Sequence, residues 1–242
     1  MTSSGTYSYN PSLGELTLYA FNMAGVRNTA IAQEHMSSAR TATNLMLSSW
    51  SNKGVNLWKV DLVTFNLTTG VSTYAAGSDG AGNPSSSDAN RTVMVLDAYV
   101  TTTSGGQNID RIILPVSRSE YASYPNKTQQ GFPTIYWFDR LISPTITIWP
   151  VPNTSTGPAT ISFYRVIQVQ DGNFTDGQTL DIPYRWLDAF ATGLAYRLAM
   201  VWQPAMVAQL KPLADEAYSI AAQQDTEYVS MYISPQISGY YR

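Results

Sequence analysis

Cysteine is absent from the 242 residues, and histidine occurs once, at His35. The first absence removes disulfides, thiolate metal sites and cysteine nucleophiles. The second removes metal centres built from several imidazoles. Charge is scarce as well. Asp, Glu, Lys and Arg make up 13% of the chain, against about 25% in ordinary globular domains. The net charge is −3, so the basic footprint of a nucleic-acid binder is missing. No apolar run reaches the ~18 residues of a membrane span, so no membrane partner is expected. The opening residues MTSSGTYSYNPS carry neither a basic nor an apolar stretch, and no signal peptide is expected.

What replaces the charge is Ser, Thr, Asn, Gln and aromatic side chains. Aromatics are 12% of the chain, with 16 Tyr and 6 Trp. Such a surface suits lasting protein contacts. The length allows one large domain or two small ones.

Periodicity divides the chain into three stretches. Leu13, Leu16, Ala20 and Met23 recur at helical spacing, with Gly25 beyond the end. A second helix is predicted from about Thr29, as cap, to Asn52, with Gly54 as its stop. Ile31, His35, Ala39, Ala42, Met46 and Trp50 fall on one face of it. From Leu57 the period becomes that of strands. VTFNLTTGVSTYAA reads as a hairpin turning at Thr69–Gly70. RTVMVLDAYVTT with NIDRIILPVS reads as a second hairpin, and PTIYWFDR with TITIWPVP as a third. ATISFYRVIQV is a last strand. Helical spacing returns at Pro183, where Trp186, Phe190, Gly193 and Arg197 share a face. Pro204 breaks the run. A long final helix follows, in which Pro212 marks a kink or a late start.

The fold class expected is α+β: mainly a helical bundle of about four helices, interrupted by an antiparallel β insertion, with an extended C-terminal tail. Residues 1–56 and 181–232 form the discontinuous bundle, 57–180 the insertion and 233–242 the tail. Leu45, Met46 and Trp50 are expected to meet Trp186 and Phe190 in the bundle core.

No residue pattern here carries catalysis. No nucleophile motif surrounds His35, which reads as a packed or surface residue. Glu15, Glu34 and Asp97 lack the context of a glycosidase pair. GSDGAGN and TSGGQN lack the lysine of a phosphate loop. Asp171, Asp176 and Asp181 recur at five-residue steps, which do not match a calcium loop. The expectation is no enzyme, no cofactor, no metal and no small-molecule substrate.

Three features point to binding. Tyr136, Trp137, Phe138 and Trp149 lie on adjacent strands. They could stack sugar rings, or they could fill a core and a protein interface. The loop from Gly77 to Asn90 is far longer than the ~4–6 residues usual for a connection. Asp79, Asn83, Ser86 and Asp88 within it are expected to contact a tail component or a second subunit. The tail, through Ile233, Pro235, Ile237, Tyr240, Tyr241 and Arg242, ends in residue types enriched at interface hot spots.

The order of motifs ARTATNLMLSSWSNKGVNLWKV, ILPVSRSEYASYPNKTQQGFPTIYWFDR, TITIWPVP and DIPYRWLDAFATGLAYRLA resembles the head-to-tail adaptor (head completion or tail accessory) proteins of short-tailed bacteriophages. The resemblance spans roughly residues 12–230. It implies a structural virion protein at the head–tail junction, assembled in the host cytoplasm. It implies a homo-oligomeric ring of twelve copies, bound to the portal by the C-terminal segment and to a tail nozzle or tail fibres at its other end. Double-stranded DNA would pass through the ring without specific binding. In this family Trp50 and Trp58 look like the joint between helices and sheet. The alternative is a carbohydrate- or receptor-binding module built on the aromatic hairpin. A lytic enzyme with a degenerate site is a third reading.

Overall fold

A computed structural model describes residues 5–54, 57–104, 106–153, 159–175 and 177–226. The tail from Ile233 to Arg242 therefore lies outside the described residues, as does Asp176.

Helix α1 spans Leu13–Met23. It starts on a capping box: Ser12 Oγ accepts from Glu15 N, while Glu15 Oε2 accepts from Ser12 N at 2.8 Å. Two orphan amides at the helix start are thereby satisfied. Helix α2, Gln33–Asn52, begins later than the sequence suggests. Thr29 sits in a short 3-10 turn, Asn28–Ala30, and His35 Nδ1 accepts from the Ala32 amide at 3.1 Å where the helix starts. The helices α3, Ser86–Ala89, and α4, Arg118–Ser123, are single turns inside the strand region. Helix α5, Leu187–Trp202, follows a 3-10 turn at Tyr184–Trp186. Helix α6, Val207–Gln224, runs through Pro212.

α5 is the hub of the helical half, packing against α1, α2 and α6. Its buried positions lie on several faces and are largely alanine: Ala189, Ala191, Ala195 and Ala199 between Phe190, Leu194 and Leu198. Small residues let three helices approach one axis. Gly193 extends this, because a Cβ there would lie 2.8 Å from Met46 Sδ.

The strands are β1 Val60–Asn66, β2 Thr73–Ala75, β3 Thr92–Ser104, β4 Gln107–Pro115, β5 Ile135–Asp139, β6 Thr145–Trp149 and β7 Ala159–Ile167. They form one seven-stranded sheet in the order β1-β7-β3-β4-β5-β6-β2. The β3–β4 and β5–β6 pairs are two of the three hairpins expected from sequence. β1 and β2 are not a hairpin. β1 pairs with β7 and β2 with β6, which puts them at opposite edges. The last strand in sequence, β7, lies between β1 and β3. β4 and β5 pair in parallel, so the sheet is not wholly antiparallel.

The fold class must be corrected accordingly. The described chain holds six helices and a seven-stranded curled sheet, a sheet-rich half-barrel, and is not a mainly helical bundle of four. The physical reason is the curl. Phe65 on one edge strand meets Tyr74 on the other, with ring centroids 5.5 Å apart. The Tyr74 hydroxyl donates to the Val71 carbonyl at 2.9 Å and accepts from the Thr68 amide at 3.0 Å. The sheet thus encloses its own core of Val63, Phe65, Tyr74, Val100, Ile113, Tyr136, Ile146, Ile148, Ile161 and Phe163. A separate core from Leu13 to Ala221 belongs to the helices. Local period shows which residues alternate, but not that two distant edges meet.

Candidate functional site

The joint between the halves is aromatic. Trp186, fully buried, lies 5.0 Å from Trp50 and 5.2 Å from Trp58 between ring centroids. Tyr218 of α6 closes the cluster 5.5 Å from Trp186, and Lys53 Nζ stands 3.9 Å over the Tyr218 ring. Burial, and secondarily the carboxylate of Asp225, hold the Tyr218 hydroxyl pKa above its ordinary value. A Lys59–Asp181 ion pair ties the start of β1 to the segment before α5. Asn44 and Gly172 exchange two hydrogen bonds, at 2.9 and 3.3 Å, and secure the return from the sheet.

Met46, Trp50, Trp186 and Phe190 all belong to the buried helical cluster. Leu45 does not: it is 58% exposed. It faces outward beside Met200 and Val201, along a groove that includes Arg197. The reason is rotational. Met46 and Trp50 turn one side of α2 to α5, and Leu45 stands about 100° away from Met46 around the axis.

The loop from Gly77 to Asn90 is hydrogen-bonded to the edge of the sheet. The Asn66 amide donates to Gly82 O at 2.9 Å, and Ser78 Oγ donates to Thr64 O at 3.0 Å. These bonds cover the free edge of β1, which would otherwise invite another chain. Arg165 of β7 fixes the loop from inside. Its guanidinium, almost wholly buried, reaches Asp88 at 2.7 Å and Asp61 at 3.0 Å. It also donates to Thr92 Oγ1 at 2.8 Å. Gly77 packs so closely that a Cβ there would lie 2.3 Å from the Ala89 amide.

Of the four loop residues singled out from sequence, Asp79 and Asn83 come together on the surface. Asp79 accepts from the Asn83 side chain and from the backbone amides of Asn83 and Ala81, and these bonds hold its carboxyl below its ordinary pKa. Ser86 is exposed at the start of α3. Asp88 turns inward to Arg165.

The aromatic hairpin is partly covered. Tyr121 of α4 stacks on Trp137 at 5.5 Å, and Tyr124, just beyond α4, stacks on Trp149 at 4.4 Å. Trp149 Nε1 also donates to Asn126 O at 2.9 Å. Tyr136 points into the sheet core. Each indole therefore has one face taken by its own chain, which weakens the sugar-platform reading. His35 stacks on Trp202 at 4.0 Å and meets the edge of Phe21.

Two further surface features have no covering element among the described residues. On the outside of the sheet, Leu62, Tyr164, Ile112 and Leu114 are exposed apolar residues, Ile112 at 79%. Between α1 and α5 lies a groove of about 480 Å³, walled by Tyr9, Pro11, Leu16, Tyr19 and Tyr184 and carrying Glu15, Arg185 and Asp188. Among the described residues no cluster of His, Asp and Glu could hold a metal ion, and no helix is long and apolar enough to cross a membrane.

The profile of the SU10 adaptor protein family matches residues 26–237. The chain belongs to this family. The match begins just after α1 and runs through α2, the sheet, α5 and α6, so it takes in parts of both halves of the adaptor. It agrees with the resemblance to head-to-tail adaptors. The adaptor is thus a structural phage protein of the head–tail junction, in a family whose members contact portal and tail proteins. Comparison with curated proteins found no match.

Sequence reasoning missed Arg165 in this adaptor. A signal for it existed. Ile161, Phe163 and Arg165 alternate along one strand, so the arginine takes an inward position. A cation there requires buried partners. Tyr218 of the joint was missed too; its spacing within α6 resembles any other apolar position.

Proposed function

We propose that this adaptor forms a ring of twelve copies between portal and tail, continues the DNA channel and offers tail components their docking site. Membership of the adaptor family carries this reading. The ring assembles in the host cytoplasm. The segment with Ile233, Pro235, Ile237, Tyr240, Tyr241 and Arg242 binds the portal. The surface around Asp79, Asn83, Ser86 and Asp88 meets a neighbouring subunit or a tail nozzle or fibre protein. Residues 1–56 and 181–232 act as one body, and 57–180 as a second. The low charge and the net value of −3 suit a wall past which DNA slides, since basic walls would hold phosphate. The exposed apolar residues on the outer sheet face supply contact area of the kind a ring needs.

The test uses purified portal rings. The full chain should bind them, and a chain truncated after Tyr232 should fold normally and fail to bind. Undiminished binding by the truncated chain would remove the tail from the portal contact. No binding by the full chain would sink the adaptor ring itself.

A further inference from the structure

The turn between β5 and β6 reads Arg140, Leu141, Ile142, Ser143, Pro144. Its two aliphatic residues are unusually open: Leu141 is 58% exposed and Ile142 96%. Beside them Arg140 is exposed, with no hydrogen-bond or ion-pair partner among the described residues. The turn is held from behind by Asn90, whose amide in its better orientation donates to Ile142 O at 3.2 Å and Ser143 Oγ at 2.9 Å. It is a supported knob with an apolar tip and a free cation.

The groove between α1 and α5 has the opposite character. Its walls are Leu16, Tyr19 and Tyr184 with Pro11 and Tyr9. Its three charged residues differ in what they already do. Glu15 is engaged by Ser12, and Arg185 by Asp225 at 2.5 Å. The Asp188 carboxylate has no partner among the described residues. The groove thus offers an aromatic and aliphatic wall with one uncommitted negative charge. A cation beside tyrosine faces and a carboxylate gains from both.

We propose that the knob Arg140–Leu141–Ile142 of one copy seats in the α1–α5 groove of the next, with Arg140 paired to Asp188. This rests on the ring reading and gives it a contact. Knob and groove lie on different halves of the chain, and the pairing proposed is heterologous: each copy gives its knob to one neighbour and its groove to the other. A heterologous contact repeats head to tail and closes into a ring when the rotation allows. The two apolar side chains are small enough to enter a groove of about 480 Å³ walled by Leu16, Tyr19 and Tyr184.

Charge reversal tests the pairing on full-length chain with purified portal rings, by native mass spectrometry across a concentration series. Arg140→Asp and Asp188→Arg should each raise the concentration that fills a portal by about tenfold or more. The double variant should restore filling towards that of the unaltered chain. Ile142→Asp should weaken filling as well, without rescue by either charge change. All three positions of change lie on the surface, so circular dichroism should stay unchanged. Single variants that fill portals normally, or a double variant no better than the singles, would overturn the pairing while leaving the ring intact. Failure of the unaltered chain to fill portals would instead remove the ring on which the pairing depends.

Discussion

The two halves of this adaptor are stabilised by different means. In the helical half, aromatic rings meet around Trp186, and small residues on α5 bring three helices close. In the sheet half, two distant edges are drawn together and a long loop is pinned by one buried arginine. Aromatic contact gains mainly from the area it buries, in offset-stacked and edge-to-face arrangements. A buried guanidinium needs partners in fixed places, and loses heavily when one is removed. The helical half is therefore suited to hold a rigid joint. The sheet half depends on a polar clamp, and it presents the loops.

Trp186→Ala should give the largest effect. Truncating a fully buried aromatic costs about 3–5 kcal/mol, a large part of the ~5–15 that holds a typical domain together. The whole chain should unfold at a markedly lower temperature, because Trp186 touches both Trp50 and Trp58. A loss confined to the helices in hydrogen exchange would show that the joint does not couple the halves.

Arg165→Met comes next, at about 2–4 kcal/mol. Asp61 is part-exposed and can be rehydrated, so Asp88 carries most of the loss. Amides between Gly77 and Arg91 should exchange faster, while α5 stays protected. Equal deprotection of α5 would erase the distinction between the halves.

Gly77→Ala should cost about 1–3 kcal/mol through overpacking, since its Cβ would meet backbone, which cannot swing aside. A neutral result in thermal unfolding would mean that the loop is spare length. Ser12→Ala should cost about 1 kcal/mol by removing the α1 cap, read in the same way, with no change in the sheet.

The smallest effect is alkaline. Burial holds the Tyr74 hydroxyl, and burial with Asp97 the Tyr136 hydroxyl, above the ordinary pKa of 10.0. The folded chain keeps protons that the unfolded chain releases, so stability falls as pH rises past about 10. Denaturant midpoints from pH 8 to 11 should show this, and Tyr74→Phe should reduce the slope.

Much of the helical half was legible in sequence. The apolar spacing of Met46, Trp50, Trp186 and Phe190 is a local signal, and the structure brings these residues into one cluster. Leu45 escaped because it borders the apolar stripe, and its side is decided by the rotation of α2 against α5. The β3–β4 and β5–β6 hairpins were legible for the same reason: short connections favour pairing of neighbours. The β1–β2 turn carried a similar signal and misled. There the pairing is settled by β7, about 100 residues beyond β1, and by β6, about 70 residues beyond β2. The role of the Gly77–Asn90 loop was hidden likewise, since its anchor, Arg165, is remote in sequence. Composition could suggest a protein made for contacts, but only the folded surface separates the knob at Ile142 from the groove at Asp188.

The central claim is that copies of this chain complete a ring on the portal. The mass of the complex between purified portal rings and an excess of the full chain tests it most directly. The account predicts a single saturated species carrying twelve copies per portal ring. A continuous spread of occupancies with no preferred end point, or no bound chain at all, would contradict it.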